Sequence, residues 1–159
     1  MNPQILSERQ RLDALFSLTK QLPQNEEMLA HWSRYLCVLV SGFIENSVKI
    51  LVVSYAEKKC HPYILNYISQ NIKGVTNLND DKIRQLVGSF SEDWRRILDT
   101  RIRDDQKAAI DSILANRHNI VHGRPVGISF VPLRDWYRLT VEVVEILEND
   151  CLTRGSWVP

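Results

Sequence analysis

Cys37–Ala56, CVLVSGFIENSVKILVVSYA, is the most apolar stretch of the chain, and its reading decides the fold. A helix of about 20 such residues is long enough to span a bilayer. Glu45, Asn46 and Lys49 interrupt it, however, and hydrocarbon tolerates such side chains poorly. The segment therefore reads as a buried core helix. Upstream, Asn25 has the character of an N-cap, and Glu26 and Glu27 place negative charge in a first turn, where the helix dipole favours it. The helix that follows reaches Lys58 or beyond and is the longest in the chain.

On either side, apolar residues recur at three and four positions and strict alternation is almost absent, so the fold class is all-α. A first helix is predicted from Ile5 to Leu22, with Ile5, Leu12, Leu15, Phe16 and Leu22 on its apolar side and Pro23 as its stop. His61-Pro62 breaks the chain after the long helix, and Tyr63 to Ile72 forms a shorter one ended by Lys73-Gly74. Gly74 to Asn79 reads as a loop. Asn79 caps a helix from Asp80 to Val87, and Ser89 with Glu92 has the spacing of a capping box for a helix through Trp94, Ile97 and Leu98. Asp104 or Asp105 opens the next, carrying Ala108, Ile110, Ile113 and Leu114, and Gly123, Pro125 and Gly127 end it. After an extended piece, Ile128 to Val131, Pro132 takes the first position of a last helix through Trp136, Leu139, Val143 and Ile146. Residues 152–159 read as a loose tail. No repeat or linker divides the chain, so residues 1–159 are expected to form one domain.

Composition agrees with a soluble globular protein: 44% hydrophobic and 25% charged residues in 159, with only 6 Gly and 6 Pro. That length is sufficient for a single core without covalent staples. Cys37, Cys60 and Cys151 are odd in number and lack C-x-x-C spacing, which points away from a disulfide framework or a zinc site and toward a reducing, cytoplasmic setting. They read as small buried hydrophobes. Trp32, Trp94 and Trp136 fall among apolar residues at helical spacing, as core or interface, with base stacking as the alternative use. Met1 to Gln10 carries charge and no apolar core of secretory type, so neither a signal peptide nor a membrane partner is expected. The net charge of +1 selects no partner by itself. Locally, Arg95 to Arg124 holds seven basic residues against four acidic ones, an excess of +3 where the remainder is −2.

Polar chemistry concentrates in Asn116–Gly123, NRHNIVHG, at the end of the sixth predicted helix. Arg117 is a permanent cation whose planar fork matches phosphate, and His118 and His122 can exchange protons near neutrality. Arg117 and His122 stand five apart, which on an ideal helix separates them by about 140° and 7.5 Å of rise. One copy would therefore reach a phosphate from one side only, whereas two copies across a two-fold axis would surround it. A solvated helix end, where Arg and His meet the C-terminal dipole, would produce the same string. Metal binding is a further alternative, since His118 and His122 share a face, but a third ligand would have to come from His31, His61, Cys37 or Cys60, none at a recognised spacing. His31 and His61 otherwise read as surface or helix-end residues. Glu45 in its apolar helix calls for a cation, with Arg117 the candidate, unless it lies on that helix's wet face.

The string Arg-x-x-x-x-His, with His118 directly after the arginine and Gly123 after the histidine, resembles the HEPN superfamily, and within it the RiboL-PSP-HEPN group. The likeness extends to Ser41–Asn46, SGFIEN, in the long helix, and to Ile128-Ser129 through Leu133, Trp136, Tyr137 and Val141. It covers most of the chain from about Leu36 onward, and its specific part is the Arg-to-His segment. The resemblance implies a HEPN-type helical bundle forming a two-fold homodimer, whose two motif helices build one cleft that cuts RNA with no metal or other cofactor. RNA carries its own nucleophile, a 2′-hydroxyl beside each phosphate, so proton removal there and protonation of the departing 5′-oxygen suffice. On this reading His122 from each subunit supplies base and acid, and Arg117 stabilises charge on the phosphorane-like transition state. His118 orients the pair. Asn119 contacts sugar or phosphate, or faces solvent. Arg95, Arg96, Arg101, Arg103 and Arg124 form a track for the RNA backbone, or else a solvated face. The resemblance also implies a toxin or antiviral-defence role with a cognate antitoxin or partner protein. The rival readings are a HEPN module that binds RNA or dimerises without cutting, under a partner's control, and a purely structural helical scaffold.

Overall fold

The computed structural model describes residues 1–21 and 25–152, and every regular element among them is helical. The order is α1 (Pro3–Leu18), a 3-10 turn (Thr19–Gln21), α2 (Glu26–Lys59), α3 (Pro62–Ile72), α4 (Asp80–Phe90), α5 (Glu92–Arg101), α6 (Asp104–Val121) and α7 (Phe130–Ile146), which runs on into a π-helical turn, Leu147–Leu152. The expected arrival of the first helix at Leu22, its stop at Pro23 and the tail from 153 onward lie outside the described residues. Leu152, assigned to that tail from sequence, belongs to the π turn.

α2 is the axis of the bundle, with α1, α3, α6, α7 and the π turn all packed against it. Leu36, Val40, Phe43, Ile44, Val48, Leu51 and Val52 recur at three and four positions and are all buried, which gives the broad apolar stripe a central helix needs. Each contributes roughly 1.5–3 kcal/mol by leaving water. By length and apolarity α2 would also cross a membrane, but 56% of its most apolar window is covered by the protein's own helices. Glu45 and Lys49 are only partly buried and Asn46 is exposed, so the three interruptions fall on the helix's thinner cover.

Local signals place most helix ends. The Asn25 side chain accepts the Glu27 N–H at 2.8 Å, as its sequence position predicts. α1 starts earlier than expected because Asn2 caps it, accepting from Gln4 N–H at 2.9 Å, with Pro3 in the first turn. The cap of α5 is Ser91 rather than Ser89. Ser91 Oγ accepts from Trp94 N–H at 3.4 Å, while Ser89 Oγ donates back to the Leu86 carbonyl inside α4, which runs on to Phe90. α7 begins at Phe130, so the extended piece is shorter than expected and Pro132 sits third in the helix. That position costs no hydrogen bond, because the first four helical N–H groups have no intrahelical acceptor.

The flanking helices are fixed by aromatic and polar ties. Phe16 of α1 stacks on Tyr137 of α7 with centroids 4.7 Å apart, the Tyr137 hydroxyl donates to Asp13 at 2.8 Å, and Arg9 pairs with Glu145 at 2.7 Å. Trp94 is buried edge-on to Tyr55, whereas Trp32 and Trp136 are partly buried, Trp32 donating to Thr19 Oγ1 at 2.9 Å. Cys37 and Cys151 are buried as expected, but Cys60 is only partly so, because it caps the end of α2. Burial pushes the Cys37 and Cys151 thiols up to about 12, which removes the reactive thiolate at neutral pH. Native protein treated with iodoacetamide at pH 8 should therefore gain one adduct, on Cys60, and three only after denaturation; intact mass and peptide mapping read the result, and rapid native labelling of Cys37 or Cys151 would contradict this packing.

Candidate functional site

α6 carries the motif on its last turns, and both its ends are fastened. At its start Gln106 is buried, its Oε1 accepting the Arg103 backbone N–H at 3.0 Å and its Nε2 donating to Glu142 of α7 at 2.7 Å. Ala109, Ile110 and Ile113 hold its middle to the core. At its end Gly123 takes φ +67°, the left-handed conformation that closes helices, and two reversed bonds follow: Arg124 N–H to Asn119 O at 2.9 Å and Gly123 N–H to Ile120 O at 3.1 Å. This leaves His122 as the C-cap, its N–H still on His118 O at 3.2 Å. Both histidines are exposed and their rings lie 4.4 Å apart, tilted by 59°.

Arg117 is partly buried and donates from Nη1 to Asn77 Oδ1 at 2.7 Å. Asn77 belongs to the loop between α3 and α4 and has φ +55°, a region Asn enters more readily than most side chains. Its own N–H donates to Glu45 Oε1 at 2.6 Å. The direct Glu45–Arg117 pair expected from sequence is therefore not formed. One loop residue stands between them, meeting the carboxylate with its backbone and the guanidinium with its side chain. The loop is in turn well anchored. Leu78 is buried, Asn79 caps α4 by accepting Lys82 N–H at 2.9 Å, and fully buried Asp80 donates its N–H to Asp111 of α6 at 3.2 Å while accepting Arg84 Nε at 2.7 Å.

Asn77, Asn79, Lys82, Asp111, His118 and Asn119 line a groove of about 480 Å³ between this loop and α6. The structure thus puts His118 and Asn119 on this groove, with Arg117 tied to its rim, and to Glu45, through Asn77 and with His122 beside His118, and the turn that ends α6 leaves Arg124 exposed after them. It does not bring the other arginines there. Arg103 precedes Arg117 by 14 residues along α6, about 21 Å of rise, and Arg95, Arg96 and Arg101 lie on α5. Several are engaged by carboxylates: Arg96 with Asp93 at 3.4 Å, Arg101 with Asp150 at 3.2 Å, and Arg103 with Asp105 at 3.1 Å and Glu142 at 3.0 Å. The Arg95 stem lies over Gly88.

The histidine pair gathers no third ligand: among the described residues no group of three His, Cys, Asp or Glu side chains is placed to hold a metal ion. Of the four side chains named as third ligands, three are engaged elsewhere, His31 beside Arg34, His61 as the cap of α3 and Cys37 donating to the Ile113 carbonyl, and Cys60 sits at the end of α2. Asn77 was missed from sequence. Its only local signal is an Asn in a short Gly-containing loop, and its partners lie 32 and 40 positions away.

A model of the RiboL-PSP-HEPN family matches residues 6–153, nearly the whole chain. No curated protein and no solved structure matches it.

The α6 terminus yields a stability test with a built-in control. At Gly123 no atom blocks an added Cβ, so Gly123→Ala feels only the left-handed backbone, a cost of about 1–2 kcal/mol. Gly42, inside α2, has equal room and no unusual φ, so Gly42→Ala should gain up to about 1 kcal/mol of helix propensity. Thermal melts should move in opposite directions, by roughly 2–4 °C per kcal/mol; a neutral Gly123→Ala would contradict the αL turn.

Proposed function

The chain belongs to the RiboL-PSP-HEPN family, and from that premise we propose that it is a metal-independent endoribonuclease whose active site is completed when two copies bring their α6 ends together. The observation that carries the proposal is the pairing, at a single capped helix end, of a guanidinium with no carboxylate partner among the described residues and two exposed imidazoles 4.4 Å apart. Glu45 takes the Asn77 N–H rather than Arg117, so the positive charge of Arg117 is not neutralised. Among the described residues only Nη1 is engaged, and a guanidinium offers five donors, so most of its fork remains for a phosphate.

In this mechanism His122 of one copy removes the 2′-hydroxyl proton, the oxygen attacks the adjacent phosphorus, and the bond from phosphorus to the 5′-oxygen breaks. His122 of the other copy protonates that leaving oxygen. Arg117 stabilises the phosphorane-like charge, and His118, against the His122 ring, orients it. The products are a 2′,3′-cyclic phosphate and a 5′-hydroxyl. Val121, 58% exposed beside the catalytic histidine, supplies apolar surface for a two-fold contact at this end. An uncontrolled ribonuclease harms its own cell, so a toxin or defence role with a silencing partner protein belongs to the same proposal.

A second reading is favoured by one contact. Arg117 is already held by Asn77 at 2.7 Å, and a site that keeps that bond and never seats both histidines on one linkage would hold RNA without cutting it. Incubating purified protein with mixed RNA separates the two. Cleavage with cyclic-phosphate ends is expected, unchanged by EDTA, and abolished in His122→Ala while circular dichroism and sedimentation remain those of the parent. In the same assay Arg117→Ala should lower kcat by roughly 10²–10³, the usual cost of one transition-state donor. Full activity of His122→Ala would falsify its proton-transfer role, and cleavage lost to EDTA and restored by zinc would replace this mechanism with a metal-dependent one.

A further inference from the structure

α3 turns Ile68 and Ile72 toward the core and carries its tyrosines on the outer side. Tyr63 is 82% exposed and Tyr67 68% exposed, with Ile64 at 54% beside them, and only Ile72 of this helix is buried. Tyr63 and Tyr67 are four apart and so share a face about 6 Å apart along the axis. His61, also exposed, extends the row, its ring 5.2 Å from that of Tyr63. From Lys58 through Asn79 the chain contains three lysines and no acidic residue. Lys58 and Lys59 are exposed at one end of α3, and neither enters an ion pair among the described residues; Lys73 is exposed at the other end, beside Gln70. Asn66 and Gln70 add exposed amides on the same helix. The helix dipole accounts for lysines at the end of α2, but not for two uncovered tyrosines beside them.

We infer that this face of α3, with its flanking lysines, is a single-stranded-RNA-binding surface that leads the strand into the α6 groove. The inference rests on the proposed RNA reading and extends it to a surface outside the motif. Aromatic rings accept any base by stacking, and unpaired cations along the same line follow the phosphates, which together make a sequence-tolerant single-strand platform. The polarity of the face supports RNA over a protein or lipid partner: rings with hydroxyls, amides and lysines, and a single aliphatic residue among the most exposed. Its position also fits. α3 is about 16 Å long, and five residues beyond its end comes Asn77, which holds Arg117 and lines the groove. The sequence drew attention to the arginines of α5, several of which carboxylates already engage. The acid-free stretch lies here.

The test measures binding rather than cutting, in a His122→Ala background, using fluorescence anisotropy of a labelled 12-nucleotide oligouridine. The double variant Tyr63→Ala/Tyr67→Ala should bind at least ~10-fold more weakly, because each lost stack is worth roughly 5- to 100-fold. Tyr63→Phe/Tyr67→Phe, which keeps the rings, should bind as the parent does. Lys58→Ala/Lys59→Ala should make the log–log salt dependence shallower by about 1.4, at about 0.7 for each phosphate that is no longer neutralised. Unchanged affinity in the double alanine variant would overturn the inference while leaving the nuclease reading intact. So would a shift of the parent's dimer to monomer in that variant, which would make the face a self-interface. Failure of the parent to cleave would instead strike the nuclease reading, and failure to bind any RNA would remove both.

Discussion

A carboxylate set into the central helix is the constraint from which the site follows. Glu45 interrupts the apolar run of α2 and is partly buried there, and a charge in that position needs donors. The simplest answer would be a cation, but a guanidinium paired with Glu45 would have its field offset by the carboxylate. Asn77 answers instead with its backbone N–H. To aim that N–H at α2 while its side chain accepts from α6, the residue adopts a left-handed conformation. Loop, central helix and motif helix thereby meet at one residue whose two hydrogen-bonding groups face opposite partners.

Rigidity of the motif helix follows from its two ends. Gln106 ties the start of α6 to α7, and the αL turn at Gly123 fixes where the helix stops. A stop one turn earlier would take His122 out of the i, i+4 relation that sets its ring beside that of His118. For proton transfer, placement within a fraction of an ångström separates a reactive group from an ornamental one. A helix closed by backbone hydrogen bonds sets that placement without occupying any side chain of the site.

What was legible in the sequence was local. Asn25 and Asn79 announced their caps, Gly123 its turn, and the stripe through Phe43 and Val48 its burial, because each depends on neighbours within one or two turns. The Arg-to-His string was legible for the same reason. The joint at Asn77 was not, since nothing at 77 indicates which residues 32 and 40 positions away will face it. Ser89 and Ser91 are equally good caps by type, and the choice fell to where α4 ends. The α5 arginines misled by count: composition registers the +3 window, but Asp150 and Glu142, which take up Arg101 and Arg103, lie outside it and reach these residues only through the fold. The tyrosines of α3 have the spacing of a buried face, and only packing shows that they stay exposed among the described residues.

The distribution of satisfied and unsatisfied charge argues for one polarity of the molecule. On the side built by α5, the start of α6 and α7, cations meet carboxylates, and such pairs add little affinity for an external anion, because each must be broken before the cation can serve. Where α2 ends beside α3, Lys58 and Lys59 have no ion pair among the described residues, and at the end of α6 Arg117 is held by a neutral amide. A neutral acceptor is the weaker competitor, since a phosphate adds an attraction between opposite charges that an amide oxygen lacks. An incoming phosphate therefore finds Arg117 already aimed, still charged, and bound to something it can either keep on Nη1 or surrender at small cost.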